Sequence, residues 1–385
     1  MSELHLLIIW SKGLYKKEKI ISDIKTKFDI LRIYNIKWSV NKFSENLSRF
    51  YSENLPKNSS KERHCGNGVF TCILVKDNNP IYEQRKTSRG YRVVNVNLFD
   101  SKQLYRKWTG GGHKIHATDD ISETKIQLAI LFGFSYDDFL LKEHSSDQEI
   151  DYDYDLMGAH GWNSFEELFK ILNLSVNYVI LRNFLNLEEQ LNVEHPDVDL
   201  LIENKKLVID LLNAKPTTNK PYRTQYNVLI KKRKINFDLR YVGDNYYDSN
   251  WEIDILNTKK VYGYLFIPND EMLLYSLIYH SLIHKENISL DYINTFKELF
   301  TKQNIQYKMS DFVEGSLLTI LLSYMKYKNY NIVEPYDLTV GFNNNILSKK
   351  IYIRISKERM YRLKFLFFIR KIKFFYKIIL NKIKQ

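Results

Sequence analysis

The chain has 385 residues, with 57 Lys and Arg against 45 Asp and Glu and a formal net charge of +12. A hydrophobic content of 44% with 26% charged residues fits two or three folded domains and excludes long disorder. Two cysteines, Cys65 and Cys72, are too few for a disulfide framework and point to a reducing cytosol. The N-terminus has no basic leader ahead of an apolar stretch, and no uncharged run approaches the ~20 apolar residues of a membrane span.

In chain order, the apolar run at 4–10 predicts a buried strand. Residues 18–28 place Ile20, Ile21, Ile24 and Phe28 at helical spacing. Residues 30–38 predict a second strand. Residues 41–51 predict a helix with Phe43, Leu47 and Phe50 on one face. Residues 69–75 and 92–98 read as strands, and 122–132 as a helix. Strands and helices interleave, which predicts an α/β or α+β unit. From 143 to 161 the pattern breaks into Ser145, Ser146, Asp147, Asp151, Asp153, Asp155 and two glycines, read as an acidic linker. A second unit opens with a helix at 164–172, where Ser164 and Glu167 have capping-box spacing. Strands are expected at 178–182, 198–202, 228–230 and 235–239, then helices from 270 to about 328. The expected division is 1–143, the linker 144–161, 162–285, a helical region 286–348 and a tail 349–385.

In the first unit, Gly110-Gly111-Gly112-His113-Lys114-Ile115-His116-Ala117-Thr118-Asp119 stands out. Glycines let a backbone approach a phosphate closely, and a histidine beside them can bind or accept a phosphoryl group. A tight turn whose histidines cap or pack is the alternative. With the preceding order of elements, His116-Ala117-Thr118-Asp119 resembles the nucleoside diphosphate kinases, in which the phosphorylated histidine precedes Gly-Ser-Asp at a helix entrance. The resemblance covers about 4–141 and implies a ferredoxin-like α+β fold with His116 as phosphohistidine. It implies phosphate-side roles for Lys12, Tyr51, Arg85 and Thr87, beside Gly111, Gly112 and His113. The carboxylate that steadies the family's histidine falls at Gln127.

In the second unit, His195-Pro196-Asp197-Val198-Asp199 puts two carboxylates on one face of a strand. Asp238 sits inside another strand pattern among Ile235, Phe237 and Leu239. Neighbouring carboxylates repel unless a cation neutralises them, and Mg²⁺ or Mn²⁺ suits such oxygens. The alternative is a turn holding Asp197 and Asp199, with Asp238 paired to Arg240 or Lys234. The triad resembles the polymerase-β-type nucleotidyltransferase superfamily over about 162–285, which implies a mixed sheet with metal-dependent transfer from a nucleotide-type donor. Asp197, Asp199 and Asp238 would be the metal and catalytic residues. Arg182 stands where the family has a Gly-Ser turn and is a phosphate candidate, as are Lys215, Arg223 and Arg240. His280 and His284 lie four apart in a helical pattern, with substrate, structural and core-packing roles all open.

The charge is uneven. Residues 349–385 hold 13 basic residues and one acid, Glu358, leaving 44 of each sign in the rest. A globally basic nucleic-acid binder is therefore not expected. At helical period, Phe365, Phe368, Ile372, Phe375, Ile379 and Ile383 oppose Arg370, Lys373, Lys377 and Lys384, the pattern of an interfacial helix on anionic lipid. Together these features predict an α+β chain, a nucleoside-diphosphate-kinase-like domain followed by a nucleotidyltransferase-like domain. The expected activity is Mg-dependent transfer to a hydroxyl acceptor, such as a glycan in surface-polysaccharide synthesis, at the cytoplasmic face of the membrane. A kinase working through His116 and an RNA-directed nucleotidyltransferase with a nucleic-acid-binding tail are the alternatives.

Overall fold

The computed structural model describes residues 2–343 apart from 89, 143–147, 186, 195, 219, 221–222, 286–287, 313 and 338, together with 361, 364–365 and 368. Within these residues the chain is a mixed α+β protein with two five-stranded sheets. The first unit contains β1 (Glu3–Ile9), α1 (Lys17–Ile24), β2 (Asp29–Ile36), α2 (Phe43–Tyr51), α3 (Ser60–Cys65), β3 (Phe70–Asp77), β4 (Tyr82–Thr87), β5 (Gly90–Asn95), α4 (Val96–Trp108), β6 (Ile115–Ala117), α5 (Ile121–Phe132), α6 (Tyr136–Lys142) and β7 (Glu149–Tyr152). Its sheet runs β6-β1-β3-β2-β7, while β4 and β5 form a separate hairpin. The pairs β6–β1, β1–β3 and β3–β2 are antiparallel, and β7 joins β2 in parallel.

Apart from Glu3 and His5, strand β1 is apolar because both of its faces are covered. Leu7 and Ile9 pack with Ile20, Ile24, Leu98 and Tyr105 on one side. Leu6, Ile8 and Trp10 enter a larger core on the other. Two expectations need correction here. Residues 92–98 are not one strand: the chain turns helical at Val96, where the Asn95 side chain accepts the Leu98 N–H at 3.2 Å. A helix cap outweighs the β-branched pattern that precedes it. The acidic stretch is not free of structure either. Glu149–Tyr152 forms a strand against β2, with Ile150 and Tyr152 packed on the core, and Asp155 accepts hydrogen bonds from Ser39 N and Asn46 Nδ2.

The second unit contains α7 (Phe165–Ser175), β8 (Tyr178–Ile180), β9 (Asp197–Ile202), α8 (Lys205–Leu212), β10 (Lys215–Pro216), β11 (Gln225–Ile230), β12 (Arg233–Tyr241), α9 (Ser249–Asn257), β13 (Lys260–Tyr262), β14 (Leu265–Ile267), α10 (Asp270–Tyr279), α11 (Leu290–Lys302) and α12 (Glu314–Lys328). Its sheet runs β10-β11-β12-β9-β8, with β12 and β9 parallel and the other pairs antiparallel. Ser164 caps α7 by accepting the Glu167 N–H at 3.0 Å, while Glu167 reaches back to the Asn163 N–H at 2.7 Å. Helix α10 runs into a π-helical turn, His280–His284.

One apolar cluster continues from Trp10 and Phe70 of the first unit to Phe169 and Leu239 of the second. Arg49, 5% exposed, bolts the two together. It donates to the carbonyl oxygens of Asp210 at 2.7 Å, Met157 at 2.7 Å and Leu211 at 3.0 Å. The expected basic tail lies outside the described residues except for Tyr361, Lys364, Phe365 and Phe368, which are helical and exposed. Among the described residues no helix is long and apolar enough to cross a membrane.

Candidate functional site

The aspartates meet as strand alternation requires. Parallel pairing sets Asp199 beside Asp238 and Asp197 beside Asn236, so Asp197, Asp199, Asn236, Asp238 and Arg240 share one face of β9 and β12. Asp199 and Asp238 are buried, and Asp197 is half-buried. Each carboxylate has a defined partner. Arg182 Nη2 donates to Asp199 at 2.7 Å. Arg240 Nη2 donates to Asp238 Oδ2 at 2.5 Å, and the Thr224 hydroxyl donates to its other oxygen. Asn236 Nδ2 donates to Asp197 at 2.8 Å.

These surroundings set the charges. Burial, then repulsion from Asp199 and Asp238, pushes the Asp197 carboxyl up to about 7. Burial also raises Asp199, against the pull of Arg182. For both arginines burial favours the neutral form, but the adjacent carboxylates outweigh it and hold them charged. The donor set is hard carboxylate oxygen held under like-charge repulsion, which suits Mg²⁺ or Mn²⁺. Arg182 and Arg240 compete for those oxygens. Among the described residues no group of three or more His, Cys, Asp or Glu side chains stands in metal-holding geometry.

The other basic candidates separate. Arg223 lies 3.8 Å from Asp337 and donates to Thr339 and Gln225. Lys215 points elsewhere: it pairs with Glu45 of α2 at 2.6 Å. Burial would raise Glu45, but hydrogen bonds and charge from Lys215 and Lys42 pull it down to about 2. Several members of the cluster carry no local signature. Thr224 and Asn236 look like ordinary sheet residues, and Asp337 lies about a hundred positions beyond Asp238. Only the folded chain brings Asp337 within 4.0 Å of Arg240.

His116 lies in strand β6 opposite Ile8, and the helix after it starts only at Ile121, capped by Asp120. The ring is 6% exposed, with the Phe50 and Tyr51 rings at 5.3 Å. Its Nε2 stands 3.0 Å from Gln127 Oε1, so Nε2 carries the proton and Nδ1 is left without one. Burial, then the Lys102 charge, holds the imidazole well below its ordinary pKa and therefore neutral. Gln127 leads to Glu123 at 3.4 Å, which burial and then the Asp119 charge push up to about 7. Sequence reading missed Glu123, whose only local signal is its place three residues after the Asp120 cap.

The glycines Gly110, Gly111 and Gly112 all have φ between 74° and 80°, a backbone that other residues resist. The Gly111 N–H caps α4 by bonding the Arg106 carbonyl at 2.7 Å, and Gly112 lies against His64. The His113 ring is 5.6 Å from the His64 ring. Arg85 sits on the β4–β5 hairpin, paired with Glu83 at 2.6 Å. A cavity of about 350 Å³ opens between the units, lined by Tyr51, Glu123 and Gln127 on one side and Asn204 and Lys206 on the other. The three aspartates do not line it.

No protein-family model matches the chain, and no curated protein matches it. Among solved structures, the chain is similar to the nucleoside diphosphate kinase of Aquifex aeolicus, at 13% identity and a TM-score of 0.24. That likeness covers 34% of this chain and 94% of the kinase.

Proposed function

We propose that the chain is a metal-dependent nucleotidyl- or phosphotransferase whose catalytic core is the second, nucleotidyltransferase-like sheet. The observation that carries this reading is the register that sets Asp199 against Asp238, with Asp197 two residues earlier on the same face. Burying three carboxylates together is costly, and two arginines offset only part of that charge. The proton held by Asp197 near neutral pH marks the remainder. Mg²⁺ held by Asp197, Asp199 and Asp238 would supply charge neutralisation and polarise a phosphate oxygen. Arg182, Arg223 and Arg240 would orient phosphates of a nucleotide-activated donor through charge-assisted hydrogen bonds. Asp238, fixed by Thr224 and Arg240, would face the acceptor hydroxyl. A glycan acceptor and a membrane location through the basic tail complete the proposal.

The order β6-β1-β3-β2 with antiparallel pairing supports a ferredoxin-like, nucleoside-diphosphate-kinase-like reading of the first unit. A second activity, phosphoryl transfer through His116, is favoured by one arrangement. The imidazole is neutral, its Nε2 is occupied by Gln127 and its Nδ1 carries no proton.

The test is nucleotide release from CDP- and NTP-type donors with Mg²⁺ and a polyol or glycan acceptor. Asp197→Asn is expected to lower turnover on the order of a hundredfold or more, and His116→Ala to leave it near the unmodified rate. Loss with His116→Ala alone would transfer the activity to the first unit.

A further inference from the structure

Buried polar atoms without hydrogen-bond partners gather in one place in the second unit. They include Arg182 Nη1, Arg240 Nε and Nη1, Arg223 Nε, Asp244 Oδ2 and both ring nitrogens of His284. Folded proteins leave few such groups, and each calls for a partner of some kind. Three of these side chains converge on Tyr246. The Arg240 guanidinium lies 4.3 Å from its ring centroid and that of Arg182 5.8 Å. The His284 ring is 4.3 Å from the same ring. Arg240 is 3% exposed and His284 4%.

His284 closes the π-helical turn after α10, a geometry that recurs at functional sites. Burial, then the Arg240 and Arg182 charges, holds the His284 imidazole well below its ordinary pKa and therefore neutral, against a main-chain contact from Tyr246. The Tyr246 hydroxyl is engaged by His280 Nδ1 at 2.8 Å. A count of donors and acceptors defines what is missing. Guanidinium nitrogens only donate, and a neutral imidazole supplies one donor. The neighbouring acceptor is Asp244, whose Oδ2 lies 3.9 Å from Arg240 Nη1 and whose carboxyl is also engaged by the Glu252 side chain. Donors exceed acceptors, so the group that completes the cluster is rich in acceptors and negatively charged. A phosphate has that chemistry.

We propose that Arg182, Arg240 and His284 form a buried subsite for one phosphate group. The inference rests on the transferase reading insofar as that phosphate belongs to the donor. A C-terminal strap covers the cluster. Asp337 places its carboxylate 4.0 Å from Arg240 and 3.8 Å from Arg223, with the Thr224 hydroxyl that donates to Asp238 standing 3.2 Å away. Gly341 lies so close to the His284 carbonyl that a Cβ there would stand 2.6 Å away, and the Asn343 N–H bonds Ile283 O at 2.8 Å. Asp337 is thus an internal anion on Arg240, which the subsite shares, and an incoming phosphate competes with it there.

Calorimetric titration of the full chain with pyrophosphate, in EDTA, tests this. His284→Phe is expected to weaken binding about tenfold, the worth of one hydrogen bond to a charged group, and Asp337→Asn to tighten it severalfold. Equal affinity in all three proteins, or no binding to the Asp337→Asn protein, overturns the subsite. The outcome separates from that of the transferase reading. Pyrophosphate binding that depends on His284, in a chain with no cation-dependent turnover, keeps the subsite and ends the transferase. Turnover abolished by Asp197→Asn, with pyrophosphate affinity indifferent to His284→Phe and Asp337→Asn, ends the subsite and keeps the transferase.

Discussion

His116 and Asp199 are both buried in β-strands, yet the two units treat them in opposite ways. His116 is walled by Phe50 and Tyr51 and receives one neutral partner, Gln127. With no counter-charge, burial strips its proton. Asp199 receives Arg182 at 2.7 Å, and Asp238 beside it receives Arg240. Burial disfavours the charged form of both groups, but only Asp199 has an opposite charge set against that cost. The first unit has become an almost neutral interior around its histidine. The second keeps dense opposite charges in contact and leaves guanidinium N–H groups without acceptors.

That contrast is breakable in steps. The largest effect is expected from Arg182→Leu, which strands the Asp199 carboxylate. A cost of about 3–5 kcal/mol in chemical denaturation is anticipated, and adding Asp199→Leu should recover much of it. No recovery in the double variant would mean that the pair is not what holds this face together. Next comes Arg49→Leu at the junction between the units. Losing its bonds to three carbonyl oxygens should cost about 2–3 kcal/mol. It should also split a single unfolding transition into two, as followed by fluorescence and circular dichroism.

His116→Phe should cost less, about 1–2 kcal/mol, because it leaves only the Gln127 amide short of a partner. A much larger loss would show that the histidine is more than packing and one hydrogen bond. The last test concerns Asp197→Asn and its pH dependence. The Asp197 carboxyl sits at about 7 in the fold, above its unfolded value near 3.9. The folded state therefore binds the proton more tightly. Below about pH 4 both states are protonated and nothing is lost, and stability declines as pH rises from there through 7. Asp197→Asn removes this decline. Its melting temperature relative to the unmodified chain should improve by about 5 °C between pH 4 and pH 8, from about 4 kcal/mol of linked stability. A difference that does not change with pH would show that Asp197 titrates normally.

Much of the framework was legible locally. The run at 4–10 reads as a strand because both of its faces are covered, and Ser164 with Glu167 reads as a helix start because the cap is made by neighbours in sequence. Asp197 and Asp199 could be placed on one face because side chains alternate along any strand. Where local signals compete, the reading slipped. The alternation at 92–98 ran through Asn95, whose side chain ends the strand and opens α4. The acidic stretch around 150 looked like a linker because its apolar residues are sparse, yet Ile150 and Tyr152 suffice to seat an edge strand.

Most strands and helices, and the shared face of Asp197 and Asp199, follow from the residues alone, because periodicity and capping act over a few residues. Only the tertiary structure decided which groups meet: Arg182 on Asp199, Gln127 on His116, Lys215 on Glu45 rather than near the aspartates, and Asp337 from far down the chain on Arg223 and Arg240. Such pairings are set by how whole elements pack and by which buried charges must be offset. That energy is long-range in sequence and leaves no local trace.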